Sequence, residues 1–519
     1  MFRILGFGLL WLAAPIAAKQ VQVTQESMHA VSSPLRNLSD NLDNFDVQDQ
    51  ENDEEEVQAV APVDPVVQTA ATIPLVTKPL TNMLGLGIGF TGPHGSRPPG
   101  GAPPDANAAV GTKQIVETVN LALAVFDKAT GTAVLGPLFM GALWRALDPE
   151  CSNGANLADP MVLFDKQAQR WIMGIHTLST PYSACLAVSQ TSDATGAYNL
   201  YAFPMQSDGR LTELRIGTWP GGYYLATSIS NNSVYEGQAT CAVDRAKMLA
   251  GQAATMQCVR ITDTRVRGMA PATMDGSIAP PAGSPDYYIA QGPAGSNSLY
   301  LYRFHADFVN PEKSSFGGPI EIKVAPYTAN NLVPQYGTTQ LLHSNGTGMM
   351  TPLQYRNFAN AAHPYESLVV NHTVQTGTVS NHGAGIRWYE LRSPGSTPLV
   401  YQQGTYAPDL SYRWMGSIAM DGKGDIAVGY SISTATAYPS IRYTGRVPSD
   451  PLGVMETEAT IFNGRGNQSD SDRWGDYTGM SVDPADDCTM WYTGQYLTGI
   501  GSTTWATRLF SFRFPSCQR

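Results

Sequence analysis

Arg413-Trp414-Met415-Gly416-Ser417-Ile418-Ala419-Met420-Asp421 is followed, after Gly422-Lys423, by Gly424-Asp425-Ile426-Ala427-Val428-Gly429-Tyr430. Each half is an apolar run of strand length, and the Asp- and Gly-rich step between them is a tight turn, so the stretch reads as an antiparallel pair. Its opening recurs at Arg473-Trp474-Gly475-Asp476-Tyr477, which leads through Ser481-Val482-Asp483-Pro484 to Met490-Trp491-Tyr492. The Asp-Pro step recurs at Asp159-Pro160, ahead of Arg170-Trp171-Ile172.

Working outward, the same idea of turn, apolar strand and aromatic-bearing strand begins near Pro104-Asp105, Asp159, Ile216, Asp286, Ser367, Arg413 and Arg473. Seven units over the stretch from residue 84 to 519 give roughly 60 residues each, enough for a four-stranded blade with generous loops. The expected architecture is all-β, a seven-bladed β-propeller. A pair of β-sandwiches is the rival. Composition agrees: 50 Gly and 36 Pro among 519 residues are too much punctuation for long helices.

The N-terminus reads differently. Arg3 followed by the apolar run Ile4 to Ala17 and the small pair Ala17-Ala18 reads as a signal peptide over residues 1–18, with an N-terminal membrane anchor as the alternative. Residues 19–83 read as a disordered leader. Nine acidic residues and no Lys or Arg lie between Asp40 and Glu56, and Ala59 to Thr77 is rich in Pro, Val, Thr and Ala. The formal net charge of −11 therefore sits mostly in the leader. The propeller region, 84–519, is nearly neutral and has no basic patch, which excludes a nucleic-acid partner. No later apolar run spans a membrane, so the mature chain is expected to be secreted or periplasmic, without a membrane span, and monomeric. Cys151, Cys185, Cys241, Cys258, Cys488 and Cys517 are an even set behind a signal peptide, and nearest-neighbour pairing (151–185, 241–258, 488–517) is the expected framework.

Several stretches carry a family resemblance: Pro103 to Asn107, Asp159-Pro160 with Arg170-Trp171, Ala242 to Leu249, Arg387-Trp388-Tyr389-Glu390, Tyr438 to Arg446, and Arg473 to Tyr492. From about residue 85 to its end the chain resembles a group of large secreted bacterial β-propeller proteins. The resemblance implies the fold and an exported location, and implies no reaction.

Candidate chemistry clusters late in the chain. Tyr355, Arg356, His372, Arg387, Arg413 and Arg473 fall at similar points of successive units. Arginines there suit a carboxylate clamp, with Tyr389, Glu390, Asp421 and Asp476 supplying acid, base or nucleophile. Such a set is similar to that of sialidase-like glycosidases. However, the repeated Ser-x-Asp-x-Gly-x-Thr-Trp box is missing, its nearest trace being Ser192 to Tyr198. Structural cement is the first reading of these arginines, each stacked on a tryptophan and bonded to a neighbouring carboxylate; in the carboxylate-clamp reading Tyr355, His372, Trp388, Tyr389 and Trp414 are the ligand-binding candidates. Asp105, Asp159, Asp421 and Asp483 sit on Gly- and Asn-rich turns that suit calcium, although no cofactor is required. Turn chemistry explains them first. The expected function is a binding module engaging a glycan or an extracellular protein through its blade loops. A glycan hydrolase using the arginines and paired carboxylates is the alternative.

Overall fold

The computed structural model describes residues 21–38, 64–147, 149–205, 207, 209–232, 234–292, 297–330, 332–346, 348–378 and 381–517. The fold is an all-β propeller. Four separate sheets of four or five strands are joined by one thirteen-stranded sheet. Within the large sheet, three antiparallel quartets begin at Arg267–Asp275, Leu353–Asn357 and Tyr412–Met420. They merge through parallel pairing: the first strands of the first two quartets join, Ala272 to Asp275 against Leu353 to Arg356, and Ala384, on the third strand of the second quartet, meets Tyr412 at the start of the third. Seven separate blades are thus not what the ladders form: four stand alone, and backbone bonds fuse the remainder.

The first strands share one role. Val110, Met161, Ile216, Met274, Gln354 and Met480, from six different quartets, line a common channel. Alternation along each strand sends the other face into the interblade cores. One of these cores gathers Trp414, Trp474, Trp491 and Trp505.

The reading of residues 19–83 as a disordered leader needs correction where they are described. Gln22–Gln25 extends one sheet beside Thr255–Ile261, and Met28–Val31 extends another beside Tyr198–Pro204. Val67–Gln68 pairs with Thr405 and Tyr406. Lys78–Gly87 pairs antiparallel with Trp505–Arg513 and completes the last sheet, so the propeller begins before residue 84. Composition missed this because docking on a sheet edge is driven by backbone hydrogen bonds, which polar segments such as Gln22-Val23-Thr24-Gln25 make as well as apolar ones. The signal peptide and the acidic stretch from Asp40 to Glu56 lie outside the described residues.

All three disulfides follow the nearest-neighbour framework: Cys151–Cys185, Cys241–Cys258 and Cys488–Cys517. They fit an extracellular or periplasmic protein. Among the described residues no helix is long and apolar enough to cross a membrane.

Candidate functional site

One irregularity repeats at the start of the first strands. In Leu157–Asp165, Arg210–Trp219, Arg267–Asp275 and Tyr412–Met420 the ladder slips by one residue, and the slip holds Asp159, Glu213, Gly268 and Met415. All four have left-handed backbone, with φ of 57°, 59°, 55° and 49°. Asp105 (φ 49°) and Asp476 (φ 39°) take the same conformation just ahead of Asn107–Val110 and Gly479–Val482. A one-residue bulge re-aims its side chain out of the ladder. A non-glycine residue there costs on the order of 1–3 kcal/mol, a cost that tends to collect at functional sites. Gly268 has a separate reason: a Cβ would lie 2.2 Å from the Gly348 Cα.

Three of these bulges carry acids from consecutive quartets: Asp105, Asp159 and Glu213, each 54 residues after the last. They form a chain of contacts. Asp105 bonds Asp159 side chain to side chain. Asp159 Oδ2 accepts from the Leu214 backbone N–H at 3.3 Å, one residue from Glu213. Burial alone would raise the Asp159 carboxyl. His176, whose Nε2 lies 2.8 Å away, outweighs burial together with the Leu214 and Asp105 bonds, holding Asp159 below its ordinary range. Asn120 Nδ2 donates to Asp105 Oδ2 at 2.5 Å. Glu213 receives Asn345 Nδ2 at 3.1 Å, Ser228 Oγ at 3.3 Å and Arg215 Nη2 at 3.4 Å. Tyr477, next to Asp476, is buried with Leu214 and Ile216. Burial and the charges of Asp159 and Glu213 push its phenol well above the ordinary value.

A strap crosses this end of the channel. After Val324 the chain forms the small hairpin Leu332–Val333 and Leu342–His343, and packs Val333, Leu342 and Met350 against Trp414 and Trp474. Gln335 exchanges two hydrogen bonds of 2.8 Å with the Gln468 backbone, and the His343 N–H donates to Asp472 O at 2.7 Å. The strap delivers Asn345 to Glu213. Asp105 and Asp159 are 1% and 4% exposed, while the Glu213 side chain keeps 25%.

The residues singled out from sequence do not converge in this way. Arg356 is buried between Asp275 (2.9 Å) and Asp487 (2.6 Å). Asp275 ends its first strand seven residues beyond Gly268, or ~23 Å at about 3.3 Å per residue, so this pair marks the far end of the channel. Arg387 is buried against Asp64 at 2.6 Å and Thr405 Oγ1 at 2.5 Å. Glu390 is held by Arg392 at 2.7 Å and Gln402 at 2.6 Å. Arg413 is gripped by Asp409 at 2.8 Å and Glu458 at 2.9 Å, and Arg473 closes on Asp476. Tyr355 donates to Glu366 at 2.5 Å, and His372 meets the Tyr389 hydroxyl at 3.0 Å. Trp388 and Trp414 are fully buried. Of the calcium candidates, Asp105 and Asp159 join the acidic chain, whereas Asp483 binds Lys128 at 2.7 Å. Among the described residues no group of three or more His, Cys, Asp or Glu side chains is placed to hold a metal ion. Sequence reasoning missed Glu213, His176 and Tyr477. The 54-residue spacing was the available signal.

Two predictions arise here. Arg413→Ala removes a fully buried cation from two acids, one of them the half-buried Glu458. It is expected to cost about 3 kcal/mol, read as a lower urea midpoint. An unchanged midpoint would show that the pairs are idle.

Asp421 gives the second. Its Oδ1 accepts the N–H groups of Lys423 at 2.8 Å and Asp425 at 3.0 Å. Burial first and the Asp425 charge second push its carboxyl up to about 8. Below about pH 4 both folded and unfolded chains hold this proton. Between 4 and 8 only the folded chain holds it, so stability falls as pH rises, by up to about 1.4 kcal/mol per pH unit. Glu456, raised to about 7 chiefly by burial, has the same sign. Buried His372, lowered chiefly by burial, opposes them only below its ordinary value of 6.5. The urea midpoint is therefore expected to drop between about pH 7 and 8 and to level off above, and Asp421→Asn should flatten that drop. An equally steep profile in the variant rules the assignment out.

The chain matches no family model and no curated protein. Solved structures similar to it include an endo-arabinase from Bacteroides thetaiotaomicron (14% identity, 58% of this chain and 96% of that one, TM-score 0.29). Another is a subtype N10 neuraminidase-like protein of A/little yellow-shouldered bat/Guatemala/060/2010 (9% identity, 66% and 95%, TM-score 0.35). A third is an exo-β-1,3-galactanase from Phanerochaete chrysosporium (12% identity, 84% and 97%, TM-score 0.28). Likeness at this level carries no argument about activity.

Proposed function

We propose that this protein is an exported glycan hydrolase whose chemistry sits on Asp105, Asp159 and Glu213, in a propeller of seven blades when the fused sheet is counted as three. The observation that carries the reading is the repeated bulge, which spends backbone strain to place acids of three consecutive quartets at the same end of the channel. Glycoside hydrolysis needs two carboxyl groups with different duties flanking one bond. Glu213, the acid that reaches solvent, exchanges a proton with the leaving group or the attacking water. Asp159, kept charged by His176, stabilises the oxocarbenium-like transition state. The three disulfides support export, as does the resemblance to secreted bacterial propellers.

A glycan-binding module without turnover is the second reading, favoured by the near-complete burial of Asp105 and Asp159 under the strap. The test is incubation of the purified protein with a panel of glycans, following both reducing-end release and retention on immobilised glycan. Release supports the hydrolase. Retention without release leaves the module as the better account.

A further inference from the structure

We infer that the strap carries a stacking platform for a glycan chain, built on Tyr336 and Tyr438, an inference that rests on the glycan-directed reading and locates a second contact for its ligand. Three turns supply the platform. Tyr336, in the loop between Leu332–Val333 and Leu342–His343, is 44% exposed. Its ring meets that of half-buried Tyr438 with 5.1 Å between centres and 62° between planes. Ile500, 66% exposed, stands on the turn between Met490–Leu497 and Trp505–Arg513. Large apolar side chains exposed singly call for no explanation, whereas three tied together from separate turns do.

Buried hydrogen bonds fix these turns to one another. Asn467, 2% exposed, donates from Nδ2 to the Tyr336 carbonyl at 2.8 Å, and its own carbonyl accepts the Gly501 N–H at 2.9 Å. One residue thus joins the strap to the Ile500 turn. Ser433 Oγ donates to the Pro334 carbonyl and Ser440 Oγ to the Tyr438 carbonyl, both at 2.8 Å, which anchors the Tyr438 side. Gly337, at φ 82°, follows Tyr336 because a Cβ there would lie 2.9 Å from Asn467 Nδ2. Rings held in this way lose little freedom on binding, so little of the stacking energy is offset.

The chemistry of the seat fits a sugar. Neither Gln335 to Gln340 nor Thr434 to Tyr438 contains a charged residue, and threonines flank both rings in sequence, Thr338 after one and Thr436 before the other. A sugar ring has the matching pair of surfaces: C–H groups on its faces for the aromatic rings, and hydroxyls around its edge for phenol and threonine oxygens. Because the two rings meet edge to face, they form an angled seat instead of hiding both faces in a stack. The same strap delivers Asn345 to Glu213, so the element that carries Tyr336 also touches a candidate acid.

The experiment measures retention of the full-length protein on immobilised arabinan, xylan, galactan and glucan, and release of reducing ends from the same polymers. Tyr336→Ala and Tyr438→Ala are each expected to weaken retention on the polymer the parent binds best by about 10-fold, the worth of one aromatic contact. The urea midpoint of Tyr336→Ala stays at the parent value, and Tyr336→Phe, which keeps the ring, binds as the parent does. Alanine variants that are retained and release sugar as the parent does overturn the inference and leave the glycan-directed reading standing. A Tyr336→Phe variant as weak as Tyr336→Ala has the same consequence. A parent protein neither retained by nor active on any of the polymers overturns that reading and the inference with it.

Discussion

A chain starting at Gly89 is expected to yield no folded protein, whereas a chain starting at Asp64 folds. The first deletion removes Lys78–Gly87, the strand that joins the N-terminal region to the C-terminal Trp505–Arg513 and so completes the last sheet. Three losses compound. The edge of Trp505–Arg513 becomes free to pair with other chains. Leu86, 2% exposed, leaves the core that also holds Trp505 and Leu509. The third loss is a buried acid's partner: Glu117, wholly enclosed, accepts the Leu86 N–H at 2.8 Å as well as the Thr507 and Thr493 hydroxyls at 2.7 and 3.0 Å. Burial already raises this carboxyl, and losing a charge-assisted bond adds about 2 kcal/mol. Together these take most of the roughly 5–15 kcal/mol that a domain has in hand. The longer chain keeps Asp64 on Arg387 and the pairing of Val67 and Gln68. It loses the edge strands Gln22–Gln25 and Met28–Val31 and the short turn Leu35–Asn37, whose Leu35 is buried among Trp144 and Trp171. Soluble yield and a cooperative urea transition check both halves. A Gly89 chain that unfolds at the full-length midpoint would show that ring closure by Lys78–Gly87 is dispensable.

This prediction marks where sequence reading was strong and where it failed. Period-two texture, Asp/Gly turns and the Arg-Trp repeats are local signals, and they led to the propeller and to neighbouring cysteines as partners. Lys78–Gly87 lay in a stretch whose bulk composition reads as leader, and nothing local says that its partner stands more than 400 residues away. The arginines read first as structural cement, and each is ion-paired, but their partners were illegible for the same reason. Arg387 is a buried ion-pair member only because Asp64 reaches it from the other end of the chain. The acidic site was half legible. Asp105 and Asp159 drew notice as turn residues, but Glu213 sits in Glu213-Leu214-Arg215-Ile216, with no Asp-Pro or Arg-Trp beside it. The bulge that unites them is a backbone feature. It tolerates Gly268 and Met415 in equivalent places, so residue type alone cannot reveal it.

Glu213→Gln is expected to lower kcat on the best substrate by about 10²–10⁴, the range of general acid–base catalysis, while leaving the urea midpoint within about 1 kcal/mol of the parent. The amide keeps one oxygen for the Asn345 bond, and the Ser228 hydroxyl on the other position can turn to accept from the new NH₂, so only the long 3.4 Å Arg215 contact is lost. Asp159→Asn behaves differently. It takes the charge from buried His176 and unsettles Asp105, so it loses both activity and stability, and the stability loss alone would not identify a catalytic group. Glu213→Gly separates the two roles. At φ 59° the glutamate carries backbone strain that glycine does not, and its partners are weak bonds of 3.1–3.4 Å on a side chain 25% exposed. Replacing it should raise the urea midpoint, by about 1 kcal/mol, and abolish turnover. A residue kept for structure destabilises the fold when it is removed. One kept for chemistry, in a conformation the fold would rather give to glycine, relaxes the fold as activity disappears. If Glu213→Gly destabilises the protein and Glu213→Gln retains full turnover, the acid is part of the scaffold and the site lies elsewhere.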